Sequence, residues 1–284
     1  MKIDSHQHFW RYNPVRDAWI TDEMAVLKHD FLPEQFAREC AANGIDASVA
    51  VQADQSENET SFLLDLARKS RRIAGVVGWV DLLSPRVPER LEYFSHFEKL
   101  RGFRHIAQAE KDERFLARDD FVEGVAQLRQ FGFTYDILIY AGQLPAAIAL
   151  VSSLPEQRFV IDHLAKPEIK AQKTEPWAAQ IREIAQNKNV FCKVSGMVTE
   201  ADWRNWKPED FKPYLDVVFE AFGADRLMFG SDWPVCLLAA SYREVKQLVD
   251  EYTKAYSRGD KDKIFGGTAE RFYGLKAAQH GLAA

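Results

Sequence analysis

Gly75-Val76-Val77-Gly78-Trp79-Val80 is the stretch that decides the fold class, because it contains no charged residue and no alternation of polar and apolar residues. A strand with one face in water alternates, whereas a strand buried on both faces is apolar nearly throughout. Val49-Ala50-Val51 is also apolar throughout, and Arg158-Phe159-Val160-Ile161-Asp162 is apolar between its two charged ends. Runs of this kind favour a parallel sheet that is covered on both sides.

Outward from this stretch, similar short runs alternate with longer amphipathic segments along the whole chain. Eight runs in 284 residues give about 35 residues per unit, the length of a βα repeat. The predicted strands are Lys2–Ser5, Ala47–Gln52, Gly75–Val80, Gly102–His105, Tyr135–Ile139, Arg158–Asp162, Val190–Val194 and Leu227–Gly230.

The segments between the strands carry helix-end signals. Ser241 with Glu244 forms a capping box, and Pro33 and Gly44 bracket another helix. Strict alternation of strand and helix leaves two architectures, an eight-stranded barrel or an open doubly wound sheet. No GxGxxG or Walker motif follows any strand, so the usual reason for the open sheet is missing. We therefore predict a single-domain, parallel eight-stranded (β/α)8 TIM-type barrel over residues 1–284.

Composition excludes several classes of partner. The net charge is 37 − 42 = −5, so we expect no nucleic-acid partner. No apolar run reaches the ~18–20 residues of a membrane span, so we expect no membrane association either. Three scattered cysteines without a CxxC pair, and an N-terminus without an apolar signal region, predict a cytoplasmic protein. A monomer and a homo-oligomer are both compatible with these numbers.

The connection Phe9–Leu32 is longer than an ordinary βα loop. Connections beyond about 12–15 residues often act as lids or binding loops. This one carries Trp10, Tyr12 and Trp19, which could cover an apolar ring face and hydrogen-bond at its edge. A peripheral packing loop is the alternative.

Three strand ends carry the candidate chemistry. His6-Gln7-His8 ends strand one, Asp162-His163 ends strand six, and Gly230-Ser231-Asp232-Trp233-Pro234 ends strand eight. Residues two apart on a strand point to the same side, and catalytic residues of barrels lie at the carboxyl ends of the strands. Barrel closure would also bring strand eight beside strand one. We therefore predict that His6, His8, His163 and Asp232 form one catalytic site, because a buried carboxylate is costly unless it is paired or used.

These motifs resemble the amidohydrolase superfamily of the amidohydrolase-2 type. The chain is most similar to the branch that holds L-fuconolactonase, L-rhamnonolactonase and 2-pyrone-4,6-dicarboxylate lactonase. The resemblance runs over nearly the whole chain, from Asp4-Ser5-His6-Gln7-His8-Phe9-Trp10 to the segment Thr268–Leu275. It implies an enzyme that opens a small sugar lactone, such as L-fucono- or L-rhamnono-lactone.

The chain departs from the superfamily's two-metal pattern, which often has a carboxylated lysine or a glutamate on strand four and a histidine on strand five. Strand four here ends Phe103-Arg104-His105, and residues 134–142, TYDILIYAG, contain no histidine. Two alternatives remain. His6, His8, His163 and Asp232 hold a single zinc ion, or no cofactor is strictly required; the lactonase resemblance favours a metal-optional site.

The expected reaction is attack of water on the lactone carbonyl, with Asp232 as general base and the three histidines polarising the carbonyl. Asp162 is expected to orient His163. The remaining strand-end polar and aromatic residues are candidates for substrate binding: Arg104, His105, Trp10, Gln52, Trp79, Tyr140 and Lys193. For Arg104 the alternative is an ion pair, and for Gln52, Trp79 and Lys193 it is barrel filling or support of the site. We expect His29, His96 and His280 to lie outside the site.

Two other functions stay open at this point. One is a zinc-dependent decarboxylase or amide hydrolase on the same barrel, and the other is a non-catalytic ligand-binding barrel. Convergence of three histidines and one aspartate at one barrel mouth favours the lactonase over the second of these.

Overall fold

Eight parallel strands, hydrogen-bonded in chain order from β1 to β8, form one sheet in the computed structural model, which describes residues 1–276. The strands are β1 Ile3–Gln7, β2 Ala47–Val51, β3 Ile73–Gly78, β4 Leu100–His105, β5 Thr134–Ile137, β6 Phe159–Ile161, β7 Val190–Val194 and β8 Leu227–Phe229. All eight predicted strands are confirmed, with ends that move by at most two residues.

Helices follow the strands as predicted. They are α1 Pro33–Asn43, α2 Glu57–Lys69, α3 Val87–Ser95, α4 Asp119–Gln127, α5 Leu144–Ser153, α6 Trp177–Ile184, α7 Pro208–Phe222, α8 Tyr242–Tyr252, α9 Arg258–Asp262 and α10 Thr268–Tyr273. The capping box of Ser241 and Glu244 is present at α8. Gly44 ends α1 in the left-handed conformation, where a side chain would be strained.

The barrel closes between β8 and β1 through a short parallel bridge between Gln7 and Trp233. The His8 amide donates to the Trp233 carbonyl at 2.7 Å, and the Asp232 amide donates to the His6 carbonyl at 2.8 Å. The predicted neighbourhood of strands one and eight is therefore confirmed. The (β/α)8 barrel is nearly closed, and its last joint lies directly at the candidate site.

A bulge in β1 sets which side chains point into the barrel. Asp4 pairs with Ser48 but Gln7 pairs with Ala50, so β1 has one more residue than β2 between these two pairs. Ile3 packs in the inner cluster with Val49 and Val160, and His6, three residues later, also contacts the inward-facing Lys193. Regular alternation would place Ile3 and His6 on opposite faces; the extra residue puts both inside.

Helix α10 covers the amino-terminal end of the barrel. Its Ala269, Phe272 and Tyr273 pack into the inner cluster, and Arg158, just before β6, donates to the Phe272 carbonyl at 2.7 Å. The opposite, carboxyl-terminal end is therefore the open one, as expected for a barrel enzyme.

Two further sequence expectations concern the long connection and the cysteines. Trp10 pairs with Phe31 in an antiparallel bridge and is only 2% exposed, so the 9–32 segment folds back on itself over the barrel. Cys40, Cys192 and Cys236 are buried free thiols. Within residues 1–276, none of the helices combines the length and the apolar character needed to cross a bilayer.

Glu59 on α2 is a buried carboxylate, and its burial raises its pKa to about 7. Between its ordinary pKa of 4.5 and about 7, the folded state binds more protons than the unfolded state, so stability falls as pH rises through this window. The Ala53 amide donates to the Glu59 carboxylate at 3.2 Å. Glu59→Gln keeps an acceptor oxygen for this amide. We expect the free energy of unfolding of Glu59→Gln to exceed that of the parent by about 3 kcal/mol at pH 8 and to equal it at pH 4.5.

Urea denaturation at the two pH values measures this difference. Glu57→Gln serves as the control, because Glu57 on the same helix is one third exposed and pairs with Arg90. That change should lower stability slightly or not at all. If Glu59→Gln is no more stable than the parent at pH 8, the ionised Glu59 side chain does not destabilise the folded protein.

Candidate active site

The four predicted catalytic side chains meet at the carboxyl-terminal end of the barrel. Nε2 of His6 lies 3.2 Å from Nε2 of His8. One oxygen of Asp232 lies 3.3 Å from Nε2 of His8 and 3.8 Å from Nε2 of both His6 and His163. The spatial convergence predicted from the strand ends is therefore present, with residues from β1 and from the segments after β6 and β8.

A cavity of about 290 Å³ opens beside this cluster. His8, His163, Asp232 and Arg104 form part of its polar wall. The apolar side is formed by Trp10, Trp19, Ala53, Ile106, Ala109, Leu138 and Val235. Its volume equals that of roughly ten water molecules in the liquid, which is space for one small ring.

Burial favours the neutral form of two of the imidazoles, those of His163 and His6. It lowers the pKa of His163 to about 4 and holds the pKa of His6 well below 6.5, despite the opposing attraction of Asp162. For Asp232, burial favours the neutral form, but contact with His163, His8 and His6 outweighs it and lowers the pKa of the carboxyl. At neutral pH the site therefore contains an ionised Asp232 beside the neutral imidazoles of His6 and His163.

His163 reaches the site through an unusual turn. Residues His163, Leu164, Ala165 and Lys166 all have positive φ, between 46° and 58°. The indole of Trp177 donates to the Leu164 carbonyl at 2.7 Å and so holds this turn from outside. Nδ1 of His163 bonds Oγ of Ser195 at 2.9 Å.

Asp162 differs from its sequence-based interpretation. Its Oδ1 lies 3.3 Å from Nδ1 of His6, while the hydrogen-bond partner of His163 is Ser195. The expectation that Asp162 orients His163 is therefore wrong, because the left-handed turn rotates His163 towards β7. Asp162 instead supports His6.

Arg104 combines both alternatives that the sequence left open. It lines the cavity, and it pairs with Asp162 at 2.9 Å. The side chain of Gln52 holds Arg104 through two hydrogen bonds. Oε1 of Gln52 accepts from Nη2 of Arg104 at 3.0 Å, and Nε2 of Gln52 donates to the backbone carbonyl of Arg104 at 3.1 Å. Gln52 thus contacts Arg104 and is fully buried.

Lys193 lies beneath the histidines and has no exposed surface. Its Nζ is 3.0 Å from Nδ1 of His6, 2.5 Å from Asp136 and 2.9 Å from Asp162. The hydroxyl of Tyr273 donates to the same Asp136 oxygen at 2.7 Å. Lys193 therefore supports His6 from the barrel interior and does not line the cavity.

Three other predicted substrate-binding residues lie away from the cavity wall. His105 bonds Glu110 at 2.7 Å and stacks on Phe115. Trp79 is half-buried at the end of β3, where its backbone bonds Thr60. Tyr140 is 48% exposed.

Three histidines were expected to lie outside the site. His29 and His96 are exposed and outside the site, as predicted, and His280 lies outside the described residues.

Sequence reasoning missed four site-supporting residues. Lys166 lines the cavity and pairs with Glu200 at 3.4 Å. Asp136 and Ser195 have usable signals: a carboxylate inside an apolar strand, and a hydroxyl two residues after Lys193 on the same side of β7. Asp4 also has such a signal, since it interrupts the first strand.

Asp4 fastens the joint between β1 and β8. It accepts from the Ser231 amide at 2.9 Å and the His6 amide at 3.1 Å through Oδ1, and from the Tyr242 hydroxyl at 2.9 Å through Oδ2. Asp4→Ala would leave two buried amides and a hydroxyl without their acceptor. We expect the free energy of unfolding to fall by about 2 kcal/mol, measured by chemical denaturation.

Tyr242→Phe is the matched control for this change, because it removes one of the three hydrogen bonds and leaves no unpaired donor. It should cost about 1 kcal/mol or less. Equal losses of unfolding free energy in the two variants would contradict the prediction that the Asp4 carboxylate stabilises the contact between β1 and β8.

Three of the donors, His6, His8 and Asp232, are close enough together to hold one zinc ion. Ligand atoms about 2.0–2.1 Å from a tetrahedral ion lie about 3.3 Å from one another. The separations among Nε2 of His6, Nε2 of His8 and the Asp232 oxygen range from 3.2 to 3.8 Å, and His163 contacts the same Asp232 oxygen at 3.8 Å but stands outside this group. Nδ1 of His8 bonds the Val51 carbonyl at 2.8 Å, the outer contact typical of a metal-bound histidine.

A (β/α)8 barrel with a His-x-His pair on β1, a histidine after β6 and an aspartate after β8 defines a protein of the amidohydrolase class. The chain belongs to the amidohydrolase family, whose sequence profile matches residues 3–275.

Named relatives span nearly the whole chain. The L-fucono-1,5-lactonase of Burkholderia multivorans is 44% identical over 286 residues, which cover 97% of this chain and 96% of the relative. The L-fucono-1,5-lactonase of Burkholderia ambifaria is 33% identical and covers 96% of this chain and 95% of its own length. A crystal structure of a Burkholderia multivorans amidohydrolase with bound zinc matches with a TM-score of 0.93 at 44% identity, over 97% of this chain and 100% of that chain.

Proposed function

We propose that this protein hydrolyses a sugar lactone, with an L-fuconolactone as the first candidate substrate. The observation that carries the proposal is the position of the Asp232 carboxylate, 3.3–3.8 Å from Nε2 of three histidines and at the edge of a 290 Å³ cavity. A lactone of one sugar ring fits this volume. The names of the two relatives given above support the same substrate class.

Asp232 is the proposed general base. It accepts a proton from the attacking water and returns that proton to the ring oxygen when the carbon–oxygen bond of the lactone breaks. Water adds to the carbonyl carbon, and the product is the open hydroxy acid. The low pKa of Asp232 keeps the carboxylate ionised, so it is available as base at neutral pH.

The negative charge that develops on the carbonyl oxygen needs donors. Arg104 presents its guanidinium to the cavity, and its bonds to Gln52 and Asp162 fix its direction. His163 presents Nε2–H when its Nδ1 accepts from the Ser195 hydroxyl. His6 and His8 are proposed to polarise the carbonyl through a bound zinc ion, because Nδ1 of His8 bonds the Val51 carbonyl and His6 does not line the cavity.

The apolar side of the cavity is proposed to contact the ring face and any methyl substituent of the sugar. Trp10 is held by its indole N–H, which donates to the His29 carbonyl at 3.0 Å, and Trp19 packs against it with ring centres 6.1 Å apart. This arrangement gives the long loop a substrate-covering role. Lys166, on the polar side, is proposed to bind substrate hydroxyls.

We propose that the site is metal-optional. When bound, a zinc ion held by His6, His8 and Asp232, with His163 beside them, would act as a Lewis acid on the carbonyl oxygen. We expect lactone hydrolysis to persist after extended dialysis against a chelator, with kcat within about threefold of the untreated protein. Loss of activity with stoichiometric zinc, restored on adding zinc back, would instead favour a zinc-dependent decarboxylase or amide hydrolase.

A screen of aldonolactones with a pH indicator tests the function directly. Each opened lactone releases an acid, so hydrolysis by the protein above the spontaneous rate supports the proposal and ranks fucono-, rhamnono- and galactono-lactones. If every lactone stays intact, the proposal fails and a ligand-binding barrel becomes the better interpretation. The buried free thiols support the further proposal that the protein works in a reducing compartment.

A further inference from the structure

Lys166 lines the cavity with an ammonium whose donors are largely uncommitted. Its side chain is only 15% exposed, and its ion pair with Glu200 has an N–O distance of 3.4 Å, which is long for a hydrogen bond. An ammonium has three N–H donors. None of the three has a well-formed hydrogen bond to a side chain or carbonyl within residues 1–276. These donors are therefore available to a ligand in the cavity.

Backbone and side-chain contacts hold Lys166 in this position. Its amide donates to the His163 carbonyl at 2.8 Å and so closes the left-handed turn after β6. Its Nζ lies 5.3 Å from the centre of the Tyr140 ring, a distance at which an aromatic face attracts a cation. Glu200 is itself fixed, because its carbonyl accepts from the Lys170 amide at 2.9 Å. The cation is thus kept at the cavity without being neutralised by a tight partner.

The other charged groups in the described wall of the cavity have closer partners. Arg104 is paired with Asp162 at 2.9 Å and with Oε1 of Gln52 at 3.0 Å. Asp232 contacts Nε2 of His8 at 3.3 Å. Lys166 is therefore the cavity cation that a newly formed negative charge can engage without breaking a short ion pair.

Hydrolysis of a lactone creates such a charge. The lactone is neutral, whereas the open hydroxy acid is a carboxylate at neutral pH and its proton is released to water. The product carboxylate then shares a small cavity with the ionised Asp232, and two like charges at short range repel each other. A nearby ammonium offsets this repulsion and forms the stronger, charge-assisted kind of hydrogen bond with the new carboxylate.

We propose that Lys166 binds the carboxylate of the hydroxy acid, so that the site holds the acid more tightly than a neutral sugar of the same size. In the lactone complex the same ammonium donates to a hydroxyl of the ring. This inference rests on the proposed function for its ligand class, an aldonic acid. It also predicts that the accumulating acid competes with the lactone for the site.

Calorimetric titration with two ligands of matched size tests the proposal. L-Fuconate is the acid formed from L-fuconolactone, and L-fucitol is a neutral open-chain analogue with the same number of carbon atoms. Lys166→Met removes the charge and keeps a long side chain. We expect the Kd for L-fuconate to rise about tenfold or more, and the Kd for L-fucitol to change less than about threefold. All proteins are compared at matched zinc content, and circular dichroism checks that they fold.

Glu200→Gln is the matched control, because it removes the other member of the ion pair and keeps the ammonium. It should bind L-fuconate at least as tightly as the parent, since the competing carboxylate is gone. A merely structural ion pair would weaken binding in both variants. The proposal is overturned if the parent does not bind L-fuconate, if Lys166→Met weakens both ligands equally or neither, or if Glu200→Gln weakens L-fuconate as much as Lys166→Met does.

The lactone screen is scored separately from these titrations. A protein that opens lactones but shows no charge-dependent loss in Lys166→Met keeps the proposed function and loses this carboxylate site. A protein that opens no lactone but binds L-fuconate through Lys166 keeps the carboxylate site and loses the proposed function.

Discussion

Replacing Asp232 with asparagine should lower kcat for lactone hydrolysis by about 10²–10⁴-fold, the usual contribution of a general base. The asparagine amide has the size of the carboxyl group but cannot accept a proton from water. KM should change little, because the cavity walls that would contact the sugar remain. Steady-state kinetics on the best lactone of the screen measure both constants.

Asp46→Asn is the control for this prediction. Asp46 precedes β2 at the amino-terminal end of the barrel, where it accepts from the Lys2 amide at 2.7 Å. Its replacement should leave kcat within about twofold of the parent, while its thermal unfolding shows the cost of an ordinary carboxylate change. A fall of less than about tenfold in Asp232→Asn would mean that another group activates the water.

Gly196→Ala is expected to lower kcat by about 10²-fold, because it displaces His163. A Cβ atom at residue 196 would lie 2.4 Å from Nδ1 and 2.5 Å from Cγ of His163, well inside van der Waals contact. The ring must move, and its bond to Ser195 is lost. Gly196 also has φ of +60°, so the alanine adds backbone strain.

Gly44→Ala separates the two effects. Gly44 has φ of +65° but no atom within 4 Å of the new Cβ, so it should lose about 1 kcal/mol of stability through strain alone and keep its kcat. Gly196→Ala should lose kcat in addition to stability. If both variants retain full activity, His163 is not held in place by its contact with Gly196.

The fold could be predicted from local patterns. Buried strands such as Phe159–Ile161 are apolar because both of their faces are covered, and helix ends at Ser241 and Gly44 are set by residues close in sequence. The convergence of His6 and Asp232 also followed, because eight βα units that close into a barrel bring the last strand beside the first. The bulge in β1 was not predictable, since it exists only in the pairing with β2.

The roles of the polar residues around the four site side chains could not be predicted from the sequence, because they depend on the tertiary structure. Lys193 and His105 both stand near strand ends in the sequence, yet one supports His6 from below and the other pairs with Glu110 outside the cavity. Ser195 bonds His163 in place of Asp162, the partner that the sequence suggested, because the left-handed turn after β6 rotates His163.

The eight repeating units, and the three histidines and one aspartate that meet at their ends, could be identified from the chain alone, because periodicity and residue type are properties of the sequence. The set of groups around His6 follows from the tertiary structure alone. Lys193 is 187 residues from His6 in the chain, and which ring nitrogen its ammonium faces depends on the register and tilt of strands that meet only when the barrel closes.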